Sequence, residues 1–237
     1  MNEWLQKMQR QFELNFIEDE RWHYIVDGLQ VTLKLTFGAV ILGVLIGFLV
    51  AVIRTTHDNA DKPNWLIKIL NFFCRVYLTV IRGTPVVVQL LIIYFVIMGP
   101  MLHCDKITSG IVAFGINSGA YVAEIVRAGI MSVDKGQMEA GRSLGFNYWQ
   151  TMIYIIAPQA FKNVLPALAN EVIVLLKETS VAGYIALQDL TKGGDIIRGR
   201  TLAAMPLYVV ALIYLVMVMF LENMVNRLER RLRQSDH

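Results

Sequence analysis

The chain has 237 residues, 55% of them hydrophobic and 17% charged, with a formal net charge of +3 and a mean hydropathy of +0.49. So apolar a composition excludes an ordinary soluble domain and indicates a multi-spanning membrane protein. The small charge excess, without a basic stripe interleaved with aromatics, argues against nucleic acid as a partner. The two cysteines, Cys74 and Cys104, form neither a metal-ligand pattern nor a disulfide framework and are expected to be buried, inert thiols.

Residues 1–25 carry charges of both signs and no cleavable apolar core, so they do not read as a secretory signal peptide. They form either an amphipathic surface helix, with Trp4, Leu5, Met8, Phe12 and Phe16 roughly on one face, or a polar terminus without fixed structure. A helix needs about 20 mostly apolar residues to cross ~30 Å of hydrocarbon. Residues 31–53 pass that test, with Lys34 near the start. Residues 85–98 pass it only if the span begins upstream, in 65–81. Residues 107–130 form a third candidate, interrupted by Asn117 and Glu124. Residues 164–176 form a fourth, short and carrying Asn170 and Glu171, and 202–221 form the fifth. Between the last two, 184–201 is too polar to span and suggests a gate or re-entrant element. Pro206 suits the first turn of the last span.

The positive charges set the orientation. Arg54 and Lys62 follow the first span, Arg127, Lys135, Arg142 and Lys162 surround the loop after the third, and Arg227, Arg230, Arg231 and Arg233 follow the fifth. With five spans these share one side, which places the C-terminus in the cytoplasm and the N-terminus outside.

Three features carry chemistry. Glu139-Ala140-Gly141-Arg142-Ser143-Leu144-Gly145 is a polar stretch between spans. Residues 137–144 read as a short helix, stopped by Gly145 because glycine tolerates a left-handed helix end. Residues 146–157 read as a second, amphipathic helix, and Pro158 fits its end or a kink. The pair is either a solvated connector or a lever gripped by a cytosolic partner. Secondly, Gly83, Thr84 and Pro85 lie together inside an apolar run, where the helix should kink or break. Such a break serves packing alone, or exposes a helix end that favours a carboxylate, with Thr84 and Gln89 adding hydrogen bonds. Thirdly, charges within spans are expensive and face a pathway or a partner. Glu124 and Arg127, three apart on one helix, are expected to form an ion pair. Glu178, beside Thr179 and Ser180, marks either the membrane interface or the inner end of a cavity. Asn117, Ser118, Gly119 and Ala120 suit close helix packing.

The loop resembles the EAA loop of ABC-transporter permeases, E-A-A, three residues, G, nine residues, I-x-L-P. Glu139, Ala140, Gly145, Ile155 and Pro158 fall in register, while Gly141 and Ala157 replace the third motif residue and the leucine. Arg82-Gly83-Thr84-Pro85 with Gln89, the run from Ser118 through Glu124 to Arg127, and Leu175-Leu176-Lys177-Glu178-Thr179-Ser180 resemble segments of the polar amino-acid permeases. These matches cover roughly residues 26–221. The resemblance implies an all-α membrane protein of the type I ABC importer permease fold, with five spans and a cytoplasmic coupling helix. It implies an N-terminal interfacial segment over 1–25, a permease domain over 26–222 with its coupling loop at about 131–160, and a basic tail over 223–237. By position, Glu139, Ala140, Gly141, Arg142 and Gly145 are the ATPase-coupling residues. Arg82, Thr84, Gln89, Glu178, Thr179 and Ser180 are the candidates for the substrate path.

No G-x-x-x-x-G-K-[S/T], H-E-x-x-H or G-x-S-x-G appears, so no phosphate loop, zinc helix or nucleophile elbow is present. The chain is expected to be a non-catalytic permease of a bacterial cell membrane, holding no cofactor, with ATP and Mg on partner ATPase subunits. The other partners implied are a second permease copy or sister subunit, an extracytoplasmic amino-acid-binding protein and the polar amino acid. A stand-alone secondary carrier is the alternative, but it leaves the coupling motif unexplained and no internal symmetry is visible.

Overall fold

The computed structural model describes residues 2–60 and 62–234, so residues 235–237 of the basic tail lie outside the described residues. Among the described residues the chain is helical between short connections, with no strand. Helix α1 (Asn2–Phe12) runs into a π-helical turn, Glu13–Ile17. Trp4, Leu5, Met8 and Phe12 are exposed while Phe16 is buried. The amphipathic face is thus divided, because the wider π turn rotates Phe16 off the exposed side and into a core.

Helix α2 (Trp22–Asp58) has 37 residues, about 55 Å at 1.5 Å per residue, and overshoots the hydrocarbon layer. Helix α3 (Trp65–Gly83) stops where Thr84 becomes extended, with φ −124° and ψ 147°. Proline disfavours a helical residue before it and lacks an N–H of its own, so Thr84-Pro85 breaks the run. The chain resumes as α4 (Val86–Ile92), a π-helical turn (Ile93–Met98) and α5 (Gly99–Leu102), closed by His103 in the left-handed region. Helix α6 (Lys106–Met131) follows Asp105, whose carboxylate accepts from the Ile107 and Thr108 N–H groups and the Thr108 hydroxyl. The Thr108 bonds hold that carboxyl below the usual range.

Helices α7 (Lys135–Ser143) and α8 (Tyr148–Thr151) form the loop, and a π-helical turn at Met152–Ile156 carries α8 into α9 (Ala157–Glu178). A 3₁₀ turn, Thr179–Ile185, precedes α10 (Leu190–Thr201), and α11 (Met205–Gln234) ends the fold. One expectation changes here. Pro158 falls in the first turn of α9, directly after the π-helical turn, and the short segment 164–176 is part of the 22-residue α9. The last span starts at Met205, with Pro206 in its first turn as expected, after Leu202, at φ 53°, stops α10.

Helices α2, α6 and α11 (over Met205–Leu232) are long and apolar enough to cross a membrane, and α3 with α4–α5 makes a fourth crossing if the broken pair is one span. Cys74 is buried, but Cys104 is only partly so. The expected burial of both thiols fails at Cys104, which lies in the connection before α6.

The chain sorts into two compact units. The first comprises residues up to Ala39, Val86–Phe114 and Val174–Leu221. Its core gathers Phe16, Ile25, Leu190, Ile197 and Val210. Here α10 lies on the start of α2 with almost no space between backbones. A Cβ on Gly28 would stand 2.6 Å from the Asp189 carbonyl oxygen, and one on Gly193 would stand 2.2 Å from that of Tyr24. The Leu190 N–H donates to the buried Thr32 hydroxyl at 3.1 Å, and the Thr201 hydroxyl donates to Asn15 at 2.7 Å.

The second unit comprises Val40–Pro85, Gly115–Ile173 and the chain from Glu222 onward. Gly43 and Gly47 of α2 face Ser118, Gly119 and Val122 of α6, and Gly119 also meets Tyr77 of α3. The Tyr77 hydroxyl donates to the Ile116 carbonyl at 2.6 Å. This is the small-residue packing of membrane helices, in which dispersion contacts at close range replace the hydrophobic effect.

A Gly193→Val variant places side-chain carbons against the Tyr24 carbonyl and is expected to lose about 1–3 kcal/mol by overpacking. Gly199, whose Cβ would meet nothing within 4 Å, is the control. Gly199→Ala should leave the melting temperature in detergent unchanged or raised, whereas a melt of Gly193→Val equal to wild type would disprove the close approach.

Candidate functional site

The loop at about 131–160 is a hairpin of two short helices, each closed by its own hydrogen bonds. The Asp134 side chain caps α7 by accepting from the Gly136 N–H at 2.7 Å. At the other end Gly145 has φ 89°. The Gly145 N–H donates to Arg142 and the Phe146 N–H to Gly141, at 3.0 and 3.2 Å. That 6→1 and 5→2 pair is a Schellman closure, which requires a left-handed residue where Gly145 stands. Asn147 and Gln150 then form a capping box that starts α8, two residues later than residue 146.

Gly141 holds the hairpin together. It is buried, and a Cβ there would stand 2.5 Å from Thr151 Cγ2 and 2.9 Å from Ile155 Cδ1. Its small size serves contact within the loop, whereas the resemblance assigned it to close approach by a partner. Glu139, Ala140, Arg142 and Gly145 are exposed. Around them Leu144 is 77% and Trp149 54% exposed, with Phe146 also open. The hairpin is tied to its flanking helices by Gln159 to Gln137 at 3.3 Å and Asn163 to Ser132 at 2.9 Å.

Glu124 of α6 accepts from two arginines. Oε2 takes the Arg127 guanidinium at 3.1 Å and Oε1 takes that of Arg54, from α2, at 2.9 Å. The second partner, 70 residues away in sequence, leaves no local sequence signal. Ser118 donates to Glu171 at 2.9 Å, so the α9 carboxylate has a hydroxyl partner at 9% exposure.

The six substrate-path candidates fall in different surroundings. Arg82 lines a cleft of about 470 Å³ with Arg54, Arg75, Leu78, Thr79, Gly83 and Glu124, and its guanidinium lies 5.9 Å from the Tyr121 ring centroid. Ser180 lines a pocket of about 370 Å³ within the first unit, with Tyr184, Asp189, Lys192 and Asp195 among its walls. In that pocket burial pushes the Asp189 carboxyl up, against the N–H groups of Thr191 and Lys192 that it accepts from. Bonds from Arg198 and Lys192 hold Asp195 down. Thr84 and Thr179 donate their hydroxyls to the Val80 and Leu176 carbonyls, both at 2.8 Å. Gln89 is buried, and Glu178 is partly buried. Sequence reasoning read Arg54 only as a charge following the first span and did not name Arg75, although Arg75, inside the apolar α3, is itself a signal.

Replacing Glu124 by Gln leaves two partly buried guanidiniums without their shared counter-charge. Loss of one partner from a buried pair costs about 3–5 kcal/mol, and less where the groups keep some solvent. Glu124→Gln should therefore melt several degrees below wild type in detergent, and an unchanged melt would show that the triad carries no structural load.

The family model described as binding-protein-dependent transport system inner membrane component matches residues 43–234. The glutamine transport system permease protein GlnP of Escherichia coli is 38% identical over 214 residues, covering 88% of this chain and 93% of its own. The arginine transport system permease protein ArtQ of Bacillus subtilis is 37% identical over 217 residues, covering 90% and 94%. Among solved structures, an amino acid ABC transporter crystallised with histidines superposes with a TM-score of 0.81 at 43% identity, covering 91% of this chain and 98% of that one. The inward-facing MetNI methionine ABC transporter shares the fold, with a TM-score of 0.75 at 19% identity over 89% and 97%. With helices long and apolar enough to cross a membrane and these likenesses along nearly its whole length, this chain belongs to the family of binding-protein-dependent transport system inner membrane components.

Proposed function

We propose that this chain is the permease subunit of an ATP-driven ABC importer for polar amino acids. It lines the translocation path and couples to an ATPase subunit, and it performs no chemistry itself. The observation that carries the reading is the hairpin α7–α8, an exposed short helix locked at both ends and braced by its own glycine contact. A connector needs no such rigidity. A lever does, because it must transmit displacement rather than absorb it. The family, the relatives and the solved importers favour this reading over a secondary carrier.

In the full assembly, α2, α3 with α4–α5, α6, α9 and α11 make five crossings of a bacterial cell membrane. The permease domain occupies 26–222, the segment 1–25 lies outside and the basic tail from 223 lies in the cytoplasm. Helix α9 crosses despite its polar residues because Glu171 is satisfied by Ser118. Glu139, Ala140, Arg142 and Gly145 meet the ATPase, while Gly141 stiffens the loop from within. Arg82, Thr84, Gln89, Glu178, Thr179 and Ser180 belong to the substrate path or its walls. A second permease, identical or sister, completes the path, and an extracytoplasmic binding protein delivers the amino acid. ATP and Mg are held by the ATPase subunits. Closure of the ATPase pair biases the permease between inward- and outward-facing states, which requires that the ATPase bind those states unequally.

The double variant Glu139→Lys with Gly145→Asp reverses a docking charge and places a side chain where φ is 89°. It should lose at least about tenfold of the ATPase that co-purifies with wild type, the scale of one lost anchor contact. Equal recovery of ATPase by both proteins would refute the coupling role. The orientation is tested with cysteine substitutions at Ser143 and Gly199 in a background lacking Cys74 and Cys104. A membrane-impermeant maleimide should label position 199 on intact cells and position 143 only on inverted vesicles. The opposite pattern overturns the topology.

A further inference from the structure

We propose that the second unit holds an anionic phospholipid of the cytoplasmic leaflet, with its phosphate in the arginine-lined cleft against Arg54 and Arg75 and its acyl chains along the exposed apolar stripe of α3. The proposal takes its leaflet from the topology given above and adds a lipid partner that the importer reading does not itself require.

The cleft sets three guanidiniums, Arg54, Arg75 and Arg82, against one carboxylate, Glu124. That carboxylate is already engaged, with one oxygen on Arg54 and the other on Arg127. Arg75 is exposed and makes no hydrogen bond or ion pair among the described residues. The wall therefore carries more positive charge than its own carboxylate offsets. A phosphate offers the planar fork of arginine charge-assisted hydrogen bonds, which are stronger than those to neutral groups.

Helix α2 fixes the depth of the cleft. The run 35–53, between Lys34 and Arg54, carries no charge. As part of the continuous α2 it covers about 28 Å, close to the ~30 Å of the hydrocarbon layer. Arg54 is therefore the first charge beyond the hydrocarbon, at the level of the phosphates. Its 2.9 Å bond to Glu124 holds the cleft at that level. Helix α2 ends soon after, at Asp58, and α6 ends at Met131, shortly after Arg127. In the topology above these ends face the cytoplasm, where anionic lipids make the leaflet surface negative and basic pockets between spans take headgroups.

Helix α3 supplies the apolar half of the site. Trp65, Leu66, Ile69, Phe72, Phe73 and Val76 are exposed and, at about 100° per residue, share one stripe. Asn71, Cys74 and Leu78 are buried on the opposite side. Lys68, Arg75 and Arg82, seven residues apart and all exposed, form a row along one border of the stripe, each about 10 Å from the next. Basic side chains at such a border lay their stems on the apolar surface and keep their charge at its edge. A free anion would use the row and leave the stripe bare, whereas an amphiphile uses both. A zwitterionic headgroup would bring its ammonium into the same excess of positive charge, which favours a lipid of net negative charge.

The test titrates the complete permease–ATPase complex, delipidated in detergent, with phosphatidylglycerol or phosphatidylcholine and reads the bound lipid by native mass spectrometry. Wild type is compared with Lys68→Gln, Arg75→Gln, the charge-retaining Arg75→Lys and Lys135→Gln, which removes the same charge from the loop. Wild type should bind phosphatidylglycerol more tightly than phosphatidylcholine by about fivefold or more, the scale of one basic residue at a membrane surface. Lys68→Gln and Arg75→Gln should each weaken phosphatidylglycerol by about fivefold, while Arg75→Lys and Lys135→Gln stay near wild type. The proposal is overturned if wild type binds the two lipids alike, if Arg75→Gln binds as wild type does, or if Lys135→Gln loses as much as Arg75→Gln. It is overturned in favour of a free anion if millimolar inorganic phosphate displaces the lipid where chloride of equal ionic strength does not. It is overturned in favour of a protein contact if Phe73→Cys, in a background lacking Cys74 and Cys104, cross-links to a second permease copy. The maleimide labelling above reads the topology separately, and a reversed pattern overturns the assigned leaflet while leaving the dependence on Arg75 to stand or fall by the titration. Wild-type complex that imports amino acid into proteoliposomes with its binding protein keeps the importer reading even if the lipid site fails.

Discussion

In the second unit the backbones of α2 and α6 meet across Gly43, Gly47 and Gly119, at positions where an added methyl group would stand 2.5–3.0 Å from its neighbours. Much of the charge arrangement depends on that approach. Seven residues after Gly47, about two helical turns, Arg54 reaches Glu124 at 2.9 Å. Between them Ala51 closes against Val122, Val126 and Val164. A larger residue at 47 would separate the helices and leave Glu124 to Arg127 alone. The glycines therefore act electrostatically as well as sterically, since they set the distance over which a charge inside a span is compensated.

Stiffness is arranged differently in the loop. Its backbone groups are satisfied within the loop, by the Asp134 cap, the Schellman closure at Gly145 and the Asn147–Gln150 box. Nothing outside is needed to hold its form, and its exposed side chains remain available. The π-helical turn at Met152–Ile156 then carries α8 into α9 without a break in the helical backbone. In the first unit α10 is seated on α2 by Gly28 and Gly193, and the buried Asp189 carboxylate caps its start. That segment is a short helix pinned by backbone contact, not a loose loop.

Much of the architecture is legible in the residue order because its causes are local. Apolar runs mark α2, α6 and α11. Thr84-Pro85 marks the break, since proline restricts the residue before it and removes a donor. Gly145 marks the end of α7, since glycine takes a left-handed conformation at little cost. The three-residue spacing of Glu124 and Arg127 makes their pairing visible before any fold is known.

What the sequence alone determined was therefore the long apolar helices, the breaks at Thr84-Pro85 and Gly145, and the family. The tertiary structure decided which groups meet across distance. It brought Arg54 to Glu124 and Ser118 to Glu171, turned Gly141 inward against Thr151, rotated Phe16 away from the face of α1, and gathered Arg75 and Arg82 into one cleft. None of these follows from periodicity, because a helix pattern reports which faces are apolar but not which neighbour each face will find. That choice rests on where the glycines allow backbones to touch.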